Sequence, residues 1–189
     1  IVIFFWFSFH QNGMSLSFFA RDFVDTSLVA PEIFQALNPF FVIALTPVIV
    51  WFFGLLAKRG VEISTPRKIA IGMGIAGLAF LFLAIYSYVM GYPSATEFRA
   101  NPSEISGVWV LIVVYFFLTV AELFISPLGL SFVSKVAPRH MVGLCQGLWL
   151  GATALGNLML WVGPLMYNAW LIWQCWTVFL AVCLISMGV

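Results

Sequence analysis

The sequence predicts an all-α membrane protein, the fold class that its composition and the length of its apolar runs both indicate. Hydrophobic residues occupy 63% and charged residues 8% of the 189 positions, against about 45–50% and about 25% in soluble domains. A soluble core of this size cannot bury so much apolar surface, so lipid must solvate most of the chain. The formal net charge of +1 indicates no extended basic surface, and we expect no nucleic-acid partner.

Six apolar runs are long enough to cross a bilayer. A membrane-spanning helix needs about 20 mostly apolar residues, and polar clusters divide residues 1–189 into six such runs. The predicted helices lie near residues 1–22, 33–57, 67–91, 106–133, 141–163 and 167–189. Lipid-exposed backbone must satisfy its polar groups internally, and runs of this length exclude a barrel. We therefore predict one six-helix transmembrane bundle.

The connections between the helices contain the residues that typically interrupt them. Polar stretches at 58–66 and 92–102 separate the second helix from the third and the third from the fourth, and Pro138 closes the fourth. Gly163 and Pro164 predict a short last turn between antiparallel neighbours.

Basic residues predict the orientation, because Lys and Arg in short loops stay on the cytoplasmic side. The connections after the second and fourth helices carry Lys58, Arg59, Arg67, Lys68, Lys135 and Arg139. Those after the first and third helices carry only Arg21 and Arg99. We expect both ends of the chain on the cytoplasmic side of the cytoplasmic membrane. Because the chain starts and ends inside apolar runs, at Ile1 and Val189, we expect a fragment of a longer protein.

The three cysteines do not indicate a cofactor or a disulfide framework. Cys145, Cys175 and Cys183 lie in apolar runs without CxxC spacing, so we expect small packing residues and neither a metal site nor a bound cofactor.

His10 is a titratable residue within the first helix, one turn after Trp6. An imidazole exchanges its proton near neutral pH, which suits a proton site. A single histidine in an apolar helix is also often a hydrogen-bonded packing residue, and its position leaves both interpretations open.

Glu122 is the one acidic residue inside a predicted helix. A carboxylate at this depth costs about 2.5 kcal/mol or more to insert, so it should face a cavity or a partner. Thr119, Glu122, Ser126 and Gly129 recur at spacings of three and four and form one polar, small-residue face. A binding site and a structural interhelical bond both explain this face, and we favour the binding site.

Helix five is predicted to have a polar face and a close-packing glycine face. The polar face comprises Gln146, Trp149, Thr153 and Asn157, and the glycine face comprises Gly143, Gly147 and Gly151. Small residues at every fourth position let helices approach closely. Trp149 can be core or cavity wall.

Two further patterns concern the helices themselves. Pro39, just after Asn38, and Pro47 predict bends in the second helix, and bent helices either line cavities or only shape the bundle. Gly72, Gly74 and Gly77 spell GxGxxG within the third helix. Without a preceding strand this is not a dinucleotide site, and it predicts helix packing.

Several of these residues fall into segments of a known family. The segments are Phe5-Trp6, His10-Gln11, Gly13, Asn38-Pro39, Glu122 to Ser131 and Ala137-Pro138. In order and spacing they resemble the proton-dependent oligopeptide transporters of the major facilitator superfamily, across essentially the whole chain. The glutamate followed by SPxGLS is the most specific part. The resemblance implies the C-terminal half of a major facilitator fold, whose binding site lies between two halves.

The resemblance also implies roles for individual residues. Glu122 corresponds to the glutamate that receives the peptide's amino terminus, and Ser126 lines the same pocket. Asn38 corresponds to the asparagine that bonds the peptide backbone or carboxylate, and Trp6 and Trp149 correspond to aromatic pocket walls.

Two residues relate to coupling and gating. Asp22 falls where the family has an acid in the extracellular gate. His10 stands where many members have Glu or Asp, which takes part in proton coupling and pairs with an arginine. Protonation gives a histidine a positive charge that repels such an arginine, whereas protonation only neutralises an acid. We expect coupling through Glu122, through His10, or through both.

The resemblance implies proton-coupled symport of di- and tripeptides by alternating access. The expected partners are peptide, protons, the lipid bilayer and a missing N-terminal six-helix half. Transport of another substrate, such as nitrate or a modified amino acid, and a structural membrane subunit are the alternatives. No GxSG with a paired histidine and no twin aspartates occur in the sequence, so we do not expect an enzyme.

Overall fold

The computed structural model describes residues 2–27, 30–60, 63–102 and 105–188. Residues 1 and 189, the outer ends of the first and last predicted helices, lie outside these ranges. Within the described ranges the chain is helical, and extended pairing is limited to one isolated bridge between Val24 and Ser106.

The chain forms a series of helices that turns and loops connect. The first membrane segment is α1 (Val2–Phe9), a 3-10 turn (His10–Gly13) and α2 (Ser15–Phe23). A 3-10 turn (Pro31–Ala36) leads into α3 (Leu37–Lys58), which α4 (Thr65–Val89), the short α5 (Ala95–Ala100) and α6 (Trp109–Val136) follow. A 3-10 turn (Arg139–Met141) leads into α7 (Val142–Leu158), and α8 (Val162–Ala169) and α9 (Ile172–Gly188) complete the described chain.

Four stretches are long and apolar enough to cross a membrane. They are Pro31–Lys58, Thr65–Val89, Trp109–Val136 and Arg139–Ala169. The described chain also contains the interrupted first segment and the shorter apolar helix α9.

The centre of the bundle is α4, which packs against α6 and α9. A Cβ added at Gly72 would lie 2.8 Å from Cγ1 of Ile125 and from Cβ of Phe124, and one at Gly77 would lie 3.4 Å from Cδ1 of Leu180. The glycines of the GxGxxG pattern therefore serve close helix packing.

Aromatic side chains fill the core near the end of the first segment. The rings of Phe23 and Phe98 lie 4.2 Å apart, centroid to centroid, and the ring of Phe19 packs edge-on against Trp176 at 5.8 Å. These contacts tie α2 to α5 and α9, so the short connecting helix α5 is part of the packed structure.

The predicted last turn is in the wrong place. Gly163 and Pro164 lie inside α8, and the turn before α9 falls at Trp170 and Leu171. Pro164 is tolerated because the first N–H groups of a helix have no intrahelical acceptor. Gly163 is needed for a close approach, since an added Cβ would overlap Oε1 of Gln11.

The glycine stripe of helix five makes no close contact with the rest of the described chain. A Cβ added at Gly143, Gly147 or Gly151 would meet nothing within 4 Å among the described residues. Close packing of α7 occurs instead at Gly156, where an added Cβ would lie 2.7 Å from the Ile3 carbonyl oxygen and 3.0 Å from the Phe7 nitrogen. The face that meets α1 is therefore rotated away from the stripe.

Candidate functional site

Glu122 lines a cavity between α3 and α6. The cavity has a volume of about 330 Å³ and is lined by Val42, Thr46, Glu122, Leu123 and Ser126. Ser126 stands one helical turn after Glu122, so the polar face predicted for this helix does open onto a cavity.

The carboxylate of Glu122 is only partly satisfied. The side chain of Asn38, at the start of α3, interacts with it. Its Oε2 atom is buried and finds no hydrogen-bond partner in the described part of the chain. A carboxylate with a free acceptor beside a cavity is a suitable receptor for a cationic hydrogen-bond donor.

Thr119 contacts Asn38 and belongs to the same helix as Glu122, α6. Its hydroxyl donates to the carbonyl oxygen of Tyr115 at 2.7 Å, and Oδ1 of Asn38 lies 3.3 Å from its Oγ1 atom. Thr119 and Asn38 thus bring α6 and α3 into polar contact.

Tyr115 connects this polar group to the interrupted first segment. Its hydroxyl donates to the carbonyl oxygen of Asn12 at 3.2 Å. Nε2 of Gln35 donates to the carbonyl oxygen of Gly13 at 3.4 Å. Side chains from α6 and from the turn before α3 thus supply donors at the helix break, where regular backbone bonding stops.

His10 belongs to a different cluster, formed where α1 meets α7. Its imidazole stacks on the indole of Trp6 with centroids 4.9 Å apart and a 19° interplanar angle, and the side chain of Asn157 interacts with it. Nδ1 of His10 is buried and has no partner among residues the structure describes. His10 and Trp6 are therefore neighbours, as the one-turn spacing predicts.

Gln11 joins two helix interruptions that face each other. It is fully buried, and its Nε2 donates at 3.2 Å to the carbonyl oxygen of Leu160, in the turn between α7 and α8. Oγ of Ser15 donates to Oε1 of Gln11 at 2.6 Å. The sequence analysis gave Gln11 no role of its own; a buried amide in an apolar run was the available signal.

Trp149 lies away from Glu122. Its indole covers Gly129 of α6, where an added Cβ would overlap the ring. It lines a cavity of about 420 Å³ together with Val2 of α1 and Gly188 of α9, at the end of the bundle where the described chain starts and ends. In the described part of the chain, Glu122, Ser126 and Asn38 thus lie together. Trp6 lies beside His10, and Trp149 lies at a separate cavity.

Asp22 is paired inside this chain. Its Oδ2 accepts from Nη2 of Arg99 at 2.6 Å, its Oδ1 accepts from Nε of Arg21 at 2.9 Å, and its side chain is only 6% exposed. Nη1 of Arg99 also donates to Oδ1 of Asn168 at 3.4 Å. The long-range partner Arg99 was not predicted, because 77 residues separate it from Asp22.

Interrupted helices and a carboxylate beside a cavity within an apolar helical bundle are typical of membrane transporters. The profile of the POT family matches residues 1–170, and the chain belongs to this family. The predicted family and fold class are confirmed: this is an integral, all-α membrane protein of a transporter family, and not an enzyme.

Known relatives and solved structures agree with this assignment. The chain is 35% identical over 159 residues to the peptide transporter YePEPT of Yersinia enterocolitica subsp. palearctica, covering 82% of this chain and 30% of that protein. It is 31% identical over 161 residues to dipeptide and tripeptide permease B of Salmonella typhimurium, covering 83% of this chain and 31% of the permease. The chain thus spans about a third of the length of these relatives.

The fold is similar to crystal structures of POT transporters. A mutant of the peptide transporter POT matches with a TM-score of 0.77 and 25% identity over 99% of this chain and 36% of that one. The POT family transporter PepTSo matches with a TM-score of 0.80 and 23% identity, covering 99% of this chain and 38% of that one.

Proposed function

We propose that the chain supplies the C-terminal half of the substrate site of a proton-coupled di- and tripeptide symporter in the cytoplasmic membrane. One observation carries the proposal: Glu122 presents a buried carboxylate oxygen without a partner among the described residues, beside a cavity in the bundle. The relatives named as a peptide transporter and as dipeptide and tripeptide permeases support this substrate class.

The cavity suits the amino end of a peptide. A peptide's ammonium group has several donors and a positive charge, so Oε2 of Glu122 is its natural partner. Asn38 and Ser126 extend the polar surface toward the peptide backbone. The lining contains no Lys or Arg, so the peptide carboxylate needs cations from an N-terminal half that this chain does not include.

Alternating access requires such a second half, and exposed helix faces support it. All of α3 lies in the described chain and none of its residues is buried. The glycine stripe of α7 has open space in front of it within the described residues. Helix faces with small residues suit contact with another helical domain.

Proton coupling is assigned to Glu122 and His10. Protonation removes the negative charge with which Glu122 holds the ammonium group, so a proton and the substrate compete for this acid. Protonation of His10 adds a positive charge between Trp6 and Asn157 instead. Its coupling contribution therefore has the opposite sign from that of an acid at the same position.

The first test is uptake by the complete transporter in liposomes, with this chain as its C-terminal half. Wild type should accumulate a labelled dipeptide when an inward proton gradient is imposed, and Glu122→Gln should abolish this, because glutamine keeps the shape and loses the charge. Glu97→Gln, at an exposed position of α5, is the control and should transport normally.

The outcomes separate the parts of the proposal. Uptake by Glu122→Gln at the wild-type level overturns the role of Glu122. Absence of dipeptide uptake by wild type overturns the substrate class and favours another substrate, such as nitrate or a modified amino acid. Loss of gradient-driven uptake in His10→Ala assigns coupling to His10, and retained uptake assigns His10 to packing.

A further inference from the structure

Thr46 lines the same cavity as Glu122, but from the neighbouring helix. Thr46 and Val42 belong to α3, whereas Glu122, Leu123 and Ser126 belong to α6. The side chain of Thr46 is exposed on α3. A polar group therefore borders the cavity on both of the helices that form it.

The hydroxyl group of Thr46 has its one proton already committed. Oγ1 donates to the carbonyl oxygen of Val42, one turn earlier in α3, at 2.6 Å. Since a hydroxyl group has one donor and two lone pairs, a threonine bonded back to its own helix in this way offers its surroundings only an acceptor. No donor of the described chain bonds this oxygen, so it is free to accept a hydrogen bond from a group in the cavity.

Glu122 presents the same kind of group from α6. Its buried Oε2 atom has no donor among the described residues, and an ionised carboxylate only accepts hydrogen bonds. Two acceptors around a cavity whose lining contains no Lys or Arg favour an occupant that brings several donors of its own. A primary ammonium group brings several N–H donors together with the positive charge that a carboxylate attracts.

We propose that Thr46 is a second binding residue for the amino terminus of the peptide, whose ammonium group donates one N–H to Oε2 of Glu122 and another to Oγ1 of Thr46. This role rests on the proposed peptide transport. Glu122 recognises the charge of the ammonium group, and the two residues together recognise the number of its N–H donors. The site therefore distinguishes substrates of equal charge by how many donors their terminal nitrogen carries.

N-methylated peptides test this role, because methylation removes donors from the amino terminus and keeps its charge. Alanylalanine has three N–H donors on this nitrogen, its N-methyl form has two and its N,N-dimethyl form has one. The experiment uses the complete transporter in liposomes. It measures the concentration of each peptide that halves gradient-driven uptake of a labelled dipeptide, which is supplied far below its KM.

Thr46→Val should raise this concentration about tenfold for the first two peptides, the effect of one hydrogen bond to a charged group. The value for the dimethyl peptide should not change, because its single N–H goes to Glu122 in either protein. Thr46→Ser keeps the oxygen and should behave as wild type. Thr177→Val is the control and should change none of the values, since the Thr177 hydroxyl is likewise bonded to carbonyl oxygens of its own helix, α9.

Two results with the valine variant overturn the role. An equal rise for all three peptides assigns Thr46 to packing, and an unchanged value for alanylalanine removes Thr46 from the site. If the dimethyl peptide competes in neither protein, or if Thr46→Val does not reach the membrane, Thr46→Ala and Thr46→Ser decide with alanylalanine. The alanine variant alone should then bind it more weakly, and equal values overturn the role. Absence of dipeptide uptake by wild type instead overturns the proposed function and, with it, this role.

Discussion

At the scale of single residues, we expect the proposed site to select its substrate through the state of the Glu122 carboxylate. Asn38 interacts with the carboxylate, and the Oε2 atom of Glu122 has no donor in the described chain. Water entering the cavity can donate to this oxygen, but only a cationic group adds charge attraction. We therefore expect Glu122 to discriminate between a free amino terminus and a blocked one, which has no positive charge.

Gln11 gives a prediction at the same scale. Gln11→Leu keeps the volume but leaves the Leu160 carbonyl oxygen without its donor and Ser15 without its acceptor. Loss of such a buried bond should lower the free energy of unfolding by about 1–3 kcal/mol. A lower midpoint of thermal unfolding in detergent is the expected measurement.

The matched control is Gln174→Leu in α9. Gln174 is half-buried, and no side-chain hydrogen bond is made by it among the residues the structure describes. Its substitution should leave the midpoint close to wild type. An equal loss of stability in both variants would show that the contact between Gln11 and Leu160 contributes nothing specific.

Contacts between elements explain how far the sequence could predict the site. Glu122 and Ser126 share a face because they are one turn apart on one helix, and helical periodicity contains that information. Tyr115 meets the carbonyl oxygen of Asn12 across 103 positions. No periodicity encodes such a meeting, because it depends on how α6 packs against the first segment.

The same reasoning covers the interrupted helices. The apolar run around His10–Gly13 predicts one continuous helix, yet α1 ends at Phe9 and α2 starts at Ser15. The break is stabilised by donors from other elements, such as Tyr115 and Gln35. Since these donors are distant in sequence, hydropathy alone predicts the crossing and not its interruption.

Gly156 provides a prediction at the scale of elements. In Gly156→Ala, the new Cβ would lie 2.7 Å from the Ile3 carbonyl oxygen and 3.0 Å from the Phe7 nitrogen. Backbone atoms of a helix cannot move aside singly, so α1 and α7 must separate. The expected cost is about 1–3 kcal/mol, measured by thermal unfolding.

Gly151→Ala is the control on the same helix. A Cβ there would meet nothing within 4 Å among the described residues, and alanine favours a helix over glycine. Its stability should match or exceed that of wild type when this chain is studied alone. A Gly156→Ala variant as stable as Gly151→Ala would contradict the close contact of α1 with α7.

At the scale of the whole molecule, the chain is a packed bundle that presents half of a binding surface. The core runs through α4, α6 and α9, whereas α3 contributes no buried residue among its 22 positions. We expect a bundle with a continuous core of this kind to fold by itself, and we do not expect a cavity bounded on one side to close around a substrate.

This division leads to a prediction for the isolated chain. Reconstituted alone, it should give a cooperative unfolding transition and no gradient-driven peptide uptake. Co-reconstitution with the N-terminal half of the same transporter should restore uptake. Significant uptake by the chain alone would contradict alternating access between two halves.

The interruptions at His10–Gly13 and at residues 159–161 divide their two membrane segments into two layers. One layer contains α2, α5 and α8, which hydrogen bonds among Asp22, Arg99 and Asn168 connect. The other layer contains α1 and α7, which meet at Gly156. The chain connects the two layers at His10–Gly13 and at residues 159–161, where the regular α-helix is interrupted. One buried side chain, Gln11, therefore bridges both interruptions through its bond to the Leu160 carbonyl oxygen.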